Sequence, residues 1–178
     1  MEPPQRLIVF DLETTGLSPK RGDLVIEIGA VAIENGRLTD EFQSLIKIDK
    51  PIPWRARRVH GISNKMLADQ LPATRIFPEF HNFIAQNPLI AHNAAFDLRF
   101  LSHEFSRLGL TLENPHHCTL KLSRRNYPHL RSHKLENLAK HLLGPAATKN
   151  LHLHRALDDA RLTAKIWIKM MESEDPYG

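Results

Sequence analysis

Apolar positions along this chain fall into two periods, one of strands and one of helices. Residues 6 to 13, RLIVFDLE, form an apolar run of strand length that stops at TTGLSP, where Gly16 and Pro19 mark a turn. The next run, LVIEIGAVAIENGRLTDEFQSLIKI, is β-rich on both sides of Asn35-Gly36, a strong short signal for a tight hairpin. Three antiparallel strands are therefore expected to open the fold. After the proline-bearing loop DKPIPW, a short helix is expected from Ser63 to Ala68, capped by Ser63, and a longer amphipathic one over 75 to 87. PLIAHN reads as a short buried strand. AAFDLRFLSHEFSRLG then follows helical spacing through Phe96, Phe100, Leu101 and Phe105, and Gly109 closes it. A short strand around Cys118 and helices near 119 to 126 and 134 to 143 come next, and Gly144-Pro145 breaks the second of these. The final helix, over 156 to 172, carries one apolar stripe of Leu157, Ala160, Ala164, Trp167, Ile168 and Met171. An antiparallel opening followed by alternating strands and helices predicts a mixed α/β layered domain. With no repeat, low-complexity tract or linker, a single domain over 1 to 178, with its core at about 6 to 172, is expected.

Composition narrows the partners. The 178 residues are 42% hydrophobic, enough for one ordinary core, and 24 Lys+Arg against 20 Asp+Glu give a formal charge of +4. That balance permits a polyanionic partner, and any acids committed to a metal would leave the remaining surface more basic still. A single cysteine, Cys118, excludes an internal disulfide, fits a reducing compartment and is expected as a small buried hydrophobe. The start, MEPPQRLIVF, lacks a basic segment followed by a long apolar stretch, and no window has membrane-spanning length, so a cytoplasmic protein without a membrane partner is expected. Two basic runs, WRARRVH (54 to 60) and KLSRRNYPHLRSHK (121 to 134), interleave cations with Trp, Tyr and His. Such a mixture suits a single-strand groove and equally suits solvated surface.

The chemistry lies in the acids. Asp11 and Glu13 are two positions apart in an apolar strand, so both point to one face, and burying two like charges there is costly without compensation. Asp97 sits just inside a helix that follows a buried strand, where the helix dipole alone would explain it. In HRALDDA, His154 precedes Asp158 and Asp159 at the start of the last helix. Periodicity does not choose between these two aspartates, and either an ion pair with Arg161 or the helix dipole at the first turn would account for Asp158. Four carboxylates meeting in one cleft call for two hard divalent cations with oxygen ligands. His92 and Asn93, at a strand end, either approach that cleft or satisfy backbone groups.

DLETTGL, HNAAFD and HRALDDA, in this order and at this separation, resemble the three exonuclease motifs of the DEDD superfamily in its histidine-bearing, DnaQ-like branch (DEDDh), which holds exonuclease X and the proofreading epsilon subunit of bacterial DNA polymerase III. VIEIGAV, VHGIS and SHKLENLAKHL extend the resemblance over nearly the whole chain. It implies a ribonuclease H-like α/β fold, a central mixed five-stranded sheet flanked by helices. It also implies Asp11, Glu13 and Asp159 as ligands of two Mg²⁺ or Mn²⁺ ions, with Asp97 completing the site directly or through water. The family spacing of five from the histidine selects Asp159. His154 would be the general base for hydrolysis at a 3′ end, releasing 5′-mononucleotides. Thr14 and Thr15 would offer backbone and hydroxyl groups to the terminal nucleotide, with Gly16 beside them. Leu17 would wedge against the last bases, and His60 and Asn93 would border the substrate groove. An acid is common in relatives where Cys118 stands, which leans the comparison toward exonuclease X. The implied partner is a nucleic-acid 3′ terminus, single-stranded DNA first, for an enzyme acting alone in repair or trimming. A polymerase-associated proofreading subunit and an RNA 3′-end trimming enzyme are the alternatives.

Overall fold

The computed structural model describes residues 6–149 and 154–174. Strands β1 (Leu7–Thr14), β2 (Val25–Glu34) and β3 (Arg37–Leu45) form the expected antiparallel opening. β2 turns into β3 at Asn35-Gly36 with φ of 52° and 71°, the positive pair that a two-residue hairpin turn needs. β4 (Leu89–Ala91) and β5 (His116–Cys118) add in parallel beyond β1, so the five-stranded sheet runs β3-β2-β1-β4-β5. β2 is buried along all but its last residue, which is why it reads as a continuous apolar run rather than an alternating one.

Each face of the sheet has its own helices. Ile8, Phe10 and Leu12 of β1 and Ile28, Ala30 and Ala32 of β2 pack under α3 (Ala73–Ile84) and α4 (Ala94–Arg107). On the opposite face, Val9, Val31 and Ile33 pack under α7 (Ala156–Glu174) through Ala160, Ala164 and Trp167. α6 (Leu135–Leu143) covers the outer side of α7, where Leu138 and Ala139 meet Leu162, Ile166 and Met170. The last helix is thus buried on two sides and not along the single stripe expected. A helix sandwiched between a sheet and another helix needs a second apolar row.

Other departures have local causes. Residues 54–60, expected only as a basic run, form helix α1 (Trp54–His60), with Ala56 and His60 turned inward and little periodicity to betray it. α2 (Asn64–Leu67) begins as expected, Ser63 Oγ accepting from the Met66 N–H. α3 starts and stops earlier than 75 to 87. Ala85 adopts φ 43°, and the Asn114 side chain donates to the Ala85 and Asn87 carbonyls at 2.8 and 2.7 Å to hold the irregular exit. Cys118 is half-buried at the head of α5 (Thr119–Asn126) rather than enclosed. Among the described residues no helix is long and apolar enough to cross a membrane.

Candidate active site

The face of β1 that gives Val9 to the α7 interface continues into Asp11 and Glu13, so both carboxylates point to the side where α7 begins. β4 is short and pairs with β1 only at Ile8 and Val9, which leaves the Leu12 N–H without a strand partner. Asp97, in the first turn of α4, supplies one: its Oδ1 accepts from Leu12 N at 3.2 Å. The end of a short parallel strand therefore binds the second acidic motif to the first.

α7 is brought to the same place by two residues of β2. Gly29 lies opposite Asp11, and a Cβ there would stand 2.1 Å from Leu157 N, so only glycine lets the helix start rest on the sheet. Glu27, on the same face and fully buried, accepts from Arg155 Nη2 at 2.8 Å, from Arg155 Nε at 3.1 Å and from Ala156 N at 3.1 Å. So seated, α7 brings Asp159 and the preceding His154 to Glu13. One donor atom from each of the three lies within 4.8 Å of the others. Asp159 Oδ2 accepts from His154 N at 3.0 Å, and His154 has φ 65°, a left-handed conformation uncommon outside glycine. Its side chain is exposed. Asp158 points away and pairs with Arg161 at 3.2 Å, as expected of a surface acid.

Burial and mutual repulsion raise the acids together. Burial, then the charges of Asp97, Glu13 and Asp159, hold the Asp11 carboxyl well above the usual range. Burial and the neighbouring Asp159 and Glu27 push Glu13 up to about 9, with Arg155 opposing. Burial pushes Asp97 up to about 8 against the Leu12 N–H, and Asp159 to about 6 against the His154 N–H. Asp11 and Asp97 stand outside the tightest group of three yet belong to the same electrostatic unit. Asp159 Oδ1 is buried with no hydrogen-bond partner. Hard oxygen donors that repel one another, one of them orphaned, fit divalent cations.

The expected substrate residues surround this cluster unevenly. The Thr14 hydroxyl donates to Gly16 O at 2.7 Å and Thr15 Oγ1 accepts from Leu24 N at 2.9 Å, so both hydroxyls hold the turn. That turn, closed by Asp23 accepting from Ser18 N at 2.9 Å, presents Leu17 with 73% of its surface exposed. His60 is buried. Its Nδ1 accepts from Ile62 N at 3.0 Å, which leaves the proton on Nε2, and Nε2 has no partner. Asn93 starts α4 in a left-handed conformation and lines a cleft of about 640 Å³ with Arg124, Arg131, Lys134, His154 and Asp159. The second basic run therefore reaches the site. His92 is paired with Thr119 Oγ1 at 2.9 Å, and burial pushes its pKa down to about 4. Glu27 and Arg155 were not singled out in the sequence. Glu27 is the only ionic residue within VIEIGAVAI, and that was the available signal.

The sequence matches the RNase_T family, described as Exonuclease, over residues 8–167. It is similar to the DNA polymerase III PolC-type of Caldanaerobacter subterraneus subsp. tengcongensis, 41% identical over 171 residues that cover 96% of this chain and 12% of that protein. It is also similar to the DNA polymerase III subunit epsilon of Aquifex aeolicus, 35% identical over 166 residues that cover 93% of this chain and 80% of that protein. The fold superposes on exonuclease X in complex with 5′-overhanging duplex DNA with a TM-score of 0.77 at 30% identity, covering 94% of this chain and 92% of that one.

Proposed function

This chain belongs to the exonuclease family, and from that premise we propose that it is a metal-dependent enzyme removing 5′-mononucleotides from the 3′ end of DNA. One observation carries the reading: Asp11, Glu13, Asp97 and Asp159 converge from three separate segments on one buried cluster, with an orphaned oxygen on Asp159. Asp11, Glu13 and Asp159 would hold two Mg²⁺ or Mn²⁺ ions, with Asp97 completing the set. Such ions, when bound, neutralise the phosphodiester and acidify the attacking water. His154 would take a proton from the attacking water on a ring nitrogen, since an imidazole can both accept and release one. Leu17 gives the last bases an apolar face. The Nε2–H of His60 and the Asn93 amide offer polar contacts to the terminal nucleotide, and Arg124, Arg131 and Lys134 give the cleft positive charge.

The test uses 5′-labelled DNA and RNA oligonucleotides with Mg²⁺, with EDTA, and with the Asp11→Ala protein. A ladder shortening from the 3′ end only with Mg²⁺ and intact Asp11 is expected, faster on DNA. The same ladder from Asp11→Ala would overturn the assignment.

Action as a separate repair or trimming enzyme is our first reading of its working context. A second reading, a proofreading module within a polymerase, is favoured by those relatives that are polymerase III proteins; the chain spans 12% of the length of the Caldanaerobacter PolC-type one. Turnover of the purified chain that rises many-fold on adding a polymerase subunit supports the second. Full turnover by the chain alone supports the first.

A further inference from the structure

Helix α1 carries a surface that the reaction above does not use. Its seven residues, WRARRVH, contain three arginines and no acid. At 3.6 residues per turn, Trp54, Arg58, Arg55 and Val59 follow one another within an arc of about 140°, while Ala56 and His60 lie on the other side. That other side faces the body: Ala56 packs on the cluster of Ile26, Ile52, Ile62 and Leu67, and His60 is buried. The outer arc leaves Trp54 62% exposed and Val59 54% exposed. The Arg58 and Arg55 guanidiniums stand 5.5 and 6.0 Å from the centre of the Trp54 ring. Among the described residues no ion pair engages Arg55, Arg57 or Arg58. At its inner side the helix meets the strand that serves the active site, because Ala56 packs on the cluster holding Ile26, the neighbour of Glu27 in β2.

We propose that the Trp54–Arg55–Arg58 face of α1 docks the unpaired nucleic-acid strand on the 5′ side of the nucleotide being removed. This rests on the exonuclease reading. Guanidiniums pair with phosphates, and the indole face stacks on a base. An unpaired strand is the fitting occupant because duplex bases are already stacked on each other and have no face to offer Trp54. The surface complements a polyanion, since Arg55 and Arg58, paired with no carboxylate among the described residues, repel one another until a strand neutralises them.

The chain has two tryptophans, Trp54 and the buried Trp167, so fluorescence reports on α1 directly. In low-salt buffer with EDTA, unlabelled dT20 should quench the wild-type protein, and the quench should be lost in Trp54→Phe. The dinucleotide dT2, confined to the terminal site, should leave Trp54 emission unchanged. By anisotropy of 5′-labelled dT20, Arg55→Ala/Arg58→Ala should bind about tenfold more weakly, and its plot of log Kd against log salt should be shallower by about 1.4, two single-strand contacts at about 0.7 each. Binding of dT20 without quench, a quench by dT2, or an unchanged salt slope would each overturn the docking surface; an unchanged slope would leave α1 to a protein partner. Loss of 3′-shortening with Mg²⁺ is a separate observation, and it alone bears on the exonuclease reading.

Discussion

Arg155 grips Glu27 with two nitrogens on one buried carboxylate, Nη2 at 2.8 Å and Nε at 3.1 Å, across 128 positions of sequence. The same carboxylate accepts from Ala156 N, so Glu27 also caps the start of α7, where the helix dipole favours an anion. Glu27 stands opposite Glu13 on the neighbouring strand and repels it, and the Arg155 charge opposes the resulting rise in the Glu13 pKa. Removing the cation leaves a buried charge alone. Arg155→Ala is expected to cost about 3 kcal/mol by urea unfolding, at the low end for a broken buried pair because Arg155 is 32% exposed. The protein that remains folded should lose turnover 10-fold or more with little change in KM, since His154 and Asp159 hang from this seat. Arg155→Lys, a point charge in place of a fork, should recover only part of either loss. Normal turnover in folded Arg155→Ala would reduce the pair to a stabilising role.

Asp97 does two tasks that substitution separates. Its Oδ1 accepts the otherwise unpaired Leu12 N–H, and its charge joins the acid cluster. Asp97→Asn can keep the hydrogen bond and lose the charge, so metal-free stability should hold or rise while Mg²⁺-dependent hydrolysis collapses. Asp97→Ala orphans the N–H as well and should cost about 1–3 kcal/mol. Thermal melts beside activity assays check this. Equal melting temperatures for the two variants would show that the Leu12 contact contributes nothing.

The acid cluster makes the metal-free protein sensitive to base. A carboxyl whose pKa is raised on folding binds its proton more tightly in the native state. Its contribution is present at low pH and lost as pH climbs through the folded value, here about 8 for Asp97 and about 9 for Glu13. His92, pushed down to about 4, acts oppositely but only below its ordinary 6.5. Between pH 6.5 and 9 the acids dominate, and the melting temperature in EDTA should fall. Mg²⁺ should restore it, more at pH 9 than at pH 6.5, because cations compete with the protons. Glu13→Gln should flatten the decline. A melting temperature in EDTA that rises over this window would contradict the electrostatic picture of the site.

What could be read from the chain was whatever is local in it. Asn35-Gly36 specified its hairpin, the run over 6 to 13 the strand found at Leu7–Thr14, and the paired acids of that strand their common face, because turn chemistry and a period of two act over a few residues. α1 was not legible because little of it is buried, and the second buried row of α7 was missed because α6, which covers it, is not encoded in α7's own period. The choice of Asp159 over Asp158 is physically made by Gly29, which sets how the helix lies on the sheet. Glu27 was visible as a lone ion in an apolar strand, but a partner 128 positions away leaves no periodic trace.

His154 poses the last question, whether its ring moves a proton or holds a metal. A ring nitrogen lies within 4.8 Å of Glu13 and Asp159 oxygens, a distance compatible with either role. The exposed side chain and the Asp159 bond to the backbone rather than the ring favour proton transfer, because a ligand is normally enclosed and oriented by a partner on its second nitrogen. His154→Ala is therefore expected to keep Mg²⁺ affinity within a few-fold by calorimetry while turnover falls 10²- to 10⁴-fold. His154→Gly should lose as much turnover yet be more stable than His154→Ala by about 1 kcal/mol, since glycine adopts the left-handed φ of 65° without strain. A loss of Mg²⁺ affinity that tracks the loss of turnover in both variants would make the imidazole a ligand instead.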